Sequence, residues 1–212
     1  MPGGILADQK ENRNADLWAR ECRRYVTRTF GLGRGKVFPA TRASSLLNPL
    51  RRLIQSPTRT VERMALARTD TVLEIGCGPG YFSRAIAAAV PEGSLVLFDL
   101  QLAMLKLARR RLPDFASIHF TQGDASYLPF PDASFDAALL VLVLGEVPDP
   151  DRCIAEVARV LQHGGSVTFA ESRRDSDFIP IGKLQIRAKK HGLELSERRG
   201  IRWEYTARFR KP

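Results

Sequence analysis

The apolar positions of this chain fall into two alternating rhythms between residues 70 and 172. Short runs rich in Val, Ile, Leu and Phe, at 72–75, 93–99, 118–120, 135–144 and 166–170, have the length and composition of strands. Between them, 81–90, 102–112 and 151–161 repeat apolar residues at helical spacing. In the second of these, Leu102, Leu105, Leu107 and Ala108 are set against Lys106, Arg109, Arg110 and Arg111; in the third, Ile154, Val157, Val160 and Leu161 recur. Such alternation predicts an α/β fold with a doubly wound, mostly parallel sheet. The run 135–144 is apolar almost throughout, as a central strand covered on both faces requires. The C-terminal pattern differs. After a helix at 180–191, segments 192–197 and 202–209 alternate with period two around Arg199-Gly200, which predicts an antiparallel hairpin and a seven-stranded sheet.

The run at 72–75 breaks directly into Gly76-Cys77-Gly78-Pro79-Gly80. Glycines after a strand permit positive φ and let a ligand approach the backbone closely. The spacing is G-x-G-x-G, which is neither the dinucleotide G-x-G-x-x-G nor the phosphate-loop G-x-x-x-x-G-K-[ST], and no Lys follows. Glu74, two places before the first glycine, would repel a pyrophosphate and suits a ligand with a cationic end. Asp99 ends the second strand at the interval of about twenty residues where such folds place a ribose-binding carboxylate. Asp124, after Gln122-Gly123, ends the third and can accept from an exocyclic amino group.

Composition narrows the picture. With 212 residues the chain fits one domain with an ample core. Cys22, Cys77 and Cys153 are an odd count without metal-ligand spacing, so neither a disulfide framework nor a metal site is expected. No run reaches the roughly eighteen apolar residues of a spanning helix, and the N-terminus has no signal-peptide pattern, so a cytoplasmic protein is expected. His119 is expected in or beside a strand, and His163 and His191 at exposed loop or helix ends.

Charge is unevenly placed. Residues 1–68 hold 14 Lys+Arg against 5 Asp+Glu, whereas 69–212 hold 19 against 18. Residues 16–30 can be drawn as a helix with Trp18, Cys22, Tyr25, Val26 and Phe30 on one side and Arg20, Arg23, Arg24 and Arg28 mostly opposite. Asn48-Pro49 and Ser56-Pro57 are cap-plus-proline helix starts, the second opening a helix that should pack on the sheet. Residues 31–43 suggest a hinge or lid. The chain thus divides into a basic amphipathic helical arm at 1–56 and a main domain at 57–212. Such an arm can lie on an anionic bilayer, each cation near the surface adding about 1 kcal/mol, or close over the site, or do both.

The ordered set VLEIGCGPG, LFDL with Met104-Leu105 behind it, GDASYLPFPDASFD, VLGEVPDP and VARVLQHGG resembles the class I S-adenosylmethionine-dependent methyltransferases. Within them the chain is most similar to the group of quinone-biosynthesis C-methyltransferases and bacterial phospholipid N-methyltransferases. The resemblance covers residues 69–172 and implies S-adenosylmethionine as cofactor. It implies that Gly76, Cys77, Gly78 and Gly80 bracket the methionine part, with Glu74 near its cationic end and Asp99 on the ribose. Leu100 and Met104 would flank the adenine, Asp124 and Ala125 would read its edge, and Leu140 would offer a backbone carbonyl to the amino group. Many relatives carry a His-His pair where this chain has Gly145 and Glu146.

A sulfonium methyl is already activated, so positioning and water exclusion carry most of the catalysis. An amine or phenol acceptor must also lose a proton. Glu146 is the first candidate to receive it, followed by Tyr81 and Tyr25. The acceptor expected is a small or amphiphilic molecule, a phospholipid head-group amine or a lipophilic quinone-like ring, with peripheral contact to the inner face of the membrane. An RNA methyltransferase is the rival, because positive charge also suits phosphates. Against it, the chain lacks an Asn/Asp-Pro-Pro-Tyr/Phe motif, a Pro-Cys pair and an appended RNA-binding module. A cofactor-binding protein without transfer activity is the third reading.

Overall fold

The computed structural model describes residues 39–47, 55–112, 117–202 and 204–212. The expected helix at 16–30, with Tyr25, and the Asn48-Pro49 start lie outside the described residues. Of the segment read as a hinge, residues 40–43 are helical, in a 3-10 turn Ala40–Arg42 followed by α1, Ala43–Leu46.

Seven strands form one sheet in the order β3-β2-β1-β4-β5-β7-β6. They are β1 Thr71–Ile75, β2 Ser94–Asp99, β3 Ile118–Gln122, β4 Phe135–Val141, β5 Leu161–Ser172, β6 Glu194–Ile201 and β7 Glu204–Arg210. The first five pair in parallel, while β7 is antiparallel to both β5 and β6. This is the expected doubly wound sheet with an antiparallel C-terminal pair.

Two apolar layers bury its faces. On one side Val72, Leu95, Leu97 and Leu139 pack against α2 (Pro57–Met64), α3 (Ser83–Ala89) and α4 (Leu102–Arg111) through Val61, Met64, Ile86, Leu105 and Ala108. On the other, Leu73, Ile75, Ala138 and Leu140 meet α5 (Pro150–Val160) and α6 (Ile181–Lys190) through Ile154, Val157, Leu184 and Ala188. The alternation of β1 therefore turns Glu74 toward the α3 side, like Val72. Helix α2 begins as its sequence predicts: Ser56 Oγ accepts from the Arg59 N–H at 3.4 Å and Pro57 opens the first turn. No helix among the described residues is long and apolar enough to cross a membrane.

Three boundaries differ from the apolar pattern. The fourth strand stops at Val141 instead of 144, because Leu142 takes a left-handed φ of 57° while its N–H is held by the Ala170 carbonyl. Leu144 is fully buried beneath the turn, so its apolarity serves packing and not a strand. The fifth strand starts earlier and runs through Gly164-Gly165, which exchange hydrogen bonds with Lys211. His163 consequently lies on this strand, and His191 is a half-buried cap of α6. In the hairpin, Arg199-Gly200 is not the turn. Both residues belong to β6 and pair with Thr206 and Tyr205, so the chain reverses beyond Ile201.

The loop between β3 and β4 is tied down by Arg159. Its guanidinium donates to the carbonyls of Phe130 (2.8 Å) and Leu128 (2.9 Å) and to the carboxylates of Glu156 and Asp132. Glu156 in turn accepts from the Leu128 N–H at 2.8 Å. A planar fork satisfies several acceptors at once, which an ammonium cannot reproduce. Arg159→Ala is expected to lower stability by about 1–3 kcal/mol, with Arg159→Lys recovering less than half. Urea denaturation measures both, and a wild-type midpoint in the alanine variant would show that the network contributes nothing.

Candidate functional site

The strand order reverses between β1 and β4, the place where open α/β sheets bind ligands at their carboxyl edge. A cavity of about 590 Å³ opens there. Its walls come from the ends of β1, β2, β3, β4 and β5, with Pro39, Leu46 and Gln55 from the N-terminal side.

The glycine turn is stitched to β2. The N–H groups of Gly76 and Cys77 both donate to the Phe98 carbonyl, at 2.7 and 3.2 Å. Gly76 has φ +67°, and a Cβ there would lie 2.3 Å from a methyl of Val143, so no larger residue fits. Gly78 N–H donates to Asp99 Oδ2 at 2.9 Å, and Gln101 N–H donates to Oδ1 at 2.8 Å. One carboxylate thus closes both the glycine turn and the turn after β2, and it faces the cavity.

Both acids at this lip are buried. Burial pushes the Glu74 carboxyl up to about 8, the neighbouring Asp99 charge adds to the rise, and the Ser83 hydroxyl, donating to Oε2 at 2.5 Å, opposes it. Burial also raises Asp99, against the two backbone donors that favour its ionised form. The Cys77 thiol is raised well above its usual range by burial and by Glu74 and Asp99, which keeps it protonated and unreactive. Cys153, on the buried face of α5, is pushed up to about 12 by burial.

Most of the expected residues come together here. Glu74, Gly76, Cys77, Gly78, Asp99, Leu100, Met104, Asp124 and Ala125 all line the cavity, as do Tyr81 and Glu146. Asp124 is fixed by accepting from the Ser126 N–H at 2.8 Å, and Tyr81 donates to the Gln55 carbonyl at 3.2 Å. Two do not line it. Gly80, at φ +79°, lies against Ala108 and Leu112, where its missing side chain allows α4 to approach. Leu140 is enclosed between Ile75 and Phe169 inside the sheet, and it is Val141, Leu142 and Val143 that reach the cavity. Tyr25 lies outside the described residues.

The wall opposite the glycine turn had no single motif to mark it. Ser172, Arg174, Asp175, Ser176 and Asp177 form it, together with Glu146, Val147 and Pro148. A polar run directly after the fifth strand's carboxyl end is its only mark in the sequence. Among the described residues no cluster of His, Cys, Asp and Glu could hold a metal ion.

A family model described as "Methyltransferase domain" matches residues 73–169, from β1 to the middle of β5. This match to a methyltransferase domain covers just under half of the chain. The buried acids, open glycine backbone and cavity size suit S-adenosylmethionine. The chain is 36% identical over 116 residues to a ubiquinone/menaquinone biosynthesis C-methyltransferase UbiE of Teredinibacter turnerae, covering 53% of this chain and 47% of that protein. It is 41% identical over 111 residues to a demethylmenaquinone methyltransferase of Renibacterium salmoninarum, covering 52% and 45%. The chain thus spans about half the length of these curated relatives. A SAM-dependent methyltransferase from Aquifex aeolicus has the same fold, with a TM-score of 0.75 at 15% identity over 82% of this chain and 98% of that one.

The raised carboxyls make stability depend on pH. Glu74 holds its proton in the folded protein up to about pH 8 but releases it near 4.5 when unfolded, so the folded state binds more protons between those values. Its contribution is present in full below about pH 4.5 and is lost as pH rises through 8. Glu171, also buried and pushed up to about 8, adds a slope of the same sign. Without ligand, stability should therefore fall by a few kcal/mol between pH 5 and 8. Glu74→Gln should flatten roughly half of that decline in urea denaturation at pH 5, 6.5 and 8. A slope identical to wild type would mean that Glu74 is ionised in the folded protein.

Proposed function

We propose that this protein transfers the methyl group of S-adenosylmethionine to a small amphiphilic acceptor, with a lipophilic quinone-like ring as the favoured class. The observation that carries it is a single cavity with two unlike lips. One is a fixed cradle of backbone and buried acids, and the other is a polar loop opposite it. The quinone class is supported by the names of the curated relatives.

In this reading the turn at Gly76–Gly78 borders the methionine part and Glu74 faces its cationic end. Asp99 accepts from the ribose hydroxyls, since each carboxylate oxygen keeps acceptor capacity beyond the backbone N–H it holds. Leu100 and Met104 flank the adenine, and Asp124 with Ala125 reads its edge. The bound cofactor supplies an activated methyl on a sulfonium. The chain's residues then orient the acceptor and exclude water, and Glu146, or else Tyr81 on the same cavity, receives the acceptor's proton.

A phospholipid head-group amine is the second reading. It is favoured by the carboxylates of Glu146, Asp175 and Asp177 on the acceptor side, which would attract an ammonium group. The basic residues at 1–68 would then hold the protein on an anionic bilayer.

Incubation with a trideuteromethyl donor and separate quinol, phospholipid and tRNA fractions, read by mass spectrometry, distinguishes the acceptors. Label is expected in the quinol fraction. Label confined to phospholipid selects the second reading, and label only in tRNA would sink both. For the donor, Asp99→Ala is expected to weaken S-adenosylmethionine binding at least tenfold in calorimetry, and unchanged affinity would remove Asp99 from the donor site.

A further inference from the structure

Residues 173–179 do more than join β5 to α6. Their entry is a tight turn: Asp175 N–H donates to the Ser172 carbonyl at 2.9 Å, and Asp177 N–H donates to Asp175 Oδ1 at 3.0 Å. Their exit is clamped through both backbone polar groups of one residue. Ile179 N–H donates to the buried Glu171 carboxyl at 3.2 Å, while Tyr205 Oη donates to the Ile179 carbonyl at 2.6 Å. The Phe178 ring stands edge-on to Tyr205 with centroids 6.1 Å apart.

Between those anchors the backbone of Asp177 rests directly on Gly145. A Cβ on Gly145 would lie 1.9 Å from the Asp177 carbonyl oxygen and 2.8 Å from its carbonyl carbon. Both are backbone atoms, so no rotamer change relieves the overlap and the loop itself must move. Gly145 does not line the cavity, yet Arg174, Ser176 and Asp177 share its wall with Glu146 and Pro148 because this contact is possible.

We propose that Gly145 is a specificity-determining position: by lacking a side chain it seats residues 173–179 as the acceptor wall, with Glu171 as the positioning residue that pins the wall's exit. The inference rests on the reading of this side of the cavity as the acceptor side. Any larger residue at 145 would lift the wall and admit a different shape of acceptor, while the glycine turn and Asp99, on other strands, would keep their geometry.

Two measurements test this on the full chain. Arg173 and Arg174 are exposed, so trypsin reports directly on the loop. Gly145→Ala is expected to speed cleavage there at least tenfold, with S-adenosylmethionine affinity kept within twofold of wild type by calorimetry. Glu171→Ala should also speed cleavage, and Glu171→Gln, which can still accept from Ile179 N–H, should not. Wild-type cleavage in Gly145→Ala would overturn the seating. Selectivity is read from kcat/KM for a two-ring naphthoquinol against a one-ring benzoquinol. A ratio shifted at least fivefold by Gly145→Ala is expected, and an unchanged ratio overturns the specificity assignment whatever the cleavage shows. Should wild type methylate neither quinol, the acceptor class falls instead. The Gly145→Ala cleavage rate and donor affinity then decide the wall on their own.

Discussion

The site depends on one carboxylate. Asp99 ends β2 with its oxygens committed to two N–H groups from different turns, Gly78 before it in the chain and Gln101 just after it. Neither turn could hold its shape easily otherwise, since glycine loses more backbone freedom on ordering than any other residue and the loop has few side chains to pack. Charge-assisted bonds to backbone N–H groups are stronger than neutral ones and fix direction as well as distance. The parallel pairing of β1 with β2 carries Asp99 to the height of the glycine turn, and the loop after β4, on the other side of β1, supplies Val143 to close it from behind. Fold and site are therefore one construction: the sheet register places the acid, and the acid shapes the loop.

Burying that acid beside a second one is unfavourable unless something answers the charge. Glu74 responds by holding its proton to about pH 8, with Ser83 donating to it, and Asp99 by accepting backbone donors. Two buried acids that repel each other favour a ligand bearing a positive centre, which would draw Glu74 toward its ionised form. The same pair disfavours a bare phosphate, consistent with a G-x-G-x-G turn without a lysine. Electrostatics at this lip thus select a class of ligand before any shape is considered.

Much of this was legible in the chain. Strand-helix alternation carries the topology because parallel strands buried on both faces must read as apolar runs, and acids at successive strand ends mark the edge where ligands bind. What escaped was decided by contacts distant in sequence. The left-handed turn at Leu142 is held by Ala170, and hydrophobicity alone could not distinguish a strand residue from the buried Leu144. Gly80 and Gly76 look alike in the motif, yet one faces α4 and the other the loop of β4, a distinction made only by where those elements pack. Gly200 resembled a turn but sits inside β6, pressed against the backbone of Glu204 and Tyr205.

The two lips of the cavity are built on different principles, and this bears on how such a domain can change its acceptor. The lip at the glycine turn is made from backbone groups, a buried carboxylate and strand ends in fixed register, so nearly any substitution there disturbs the sheet. The opposite wall is a seven-residue loop whose interior seat is a single glycine and whose exit hangs on Glu171 and Tyr205. A change at 145 would act on the wall through one backbone contact and leave the core layers intact. On the proposed assignment of the two sides, variation in acceptor can proceed on one side of the cavity while the other stays as it is, because no hydrogen bond between the described residues ties the loop to the glycine turn or to Asp99.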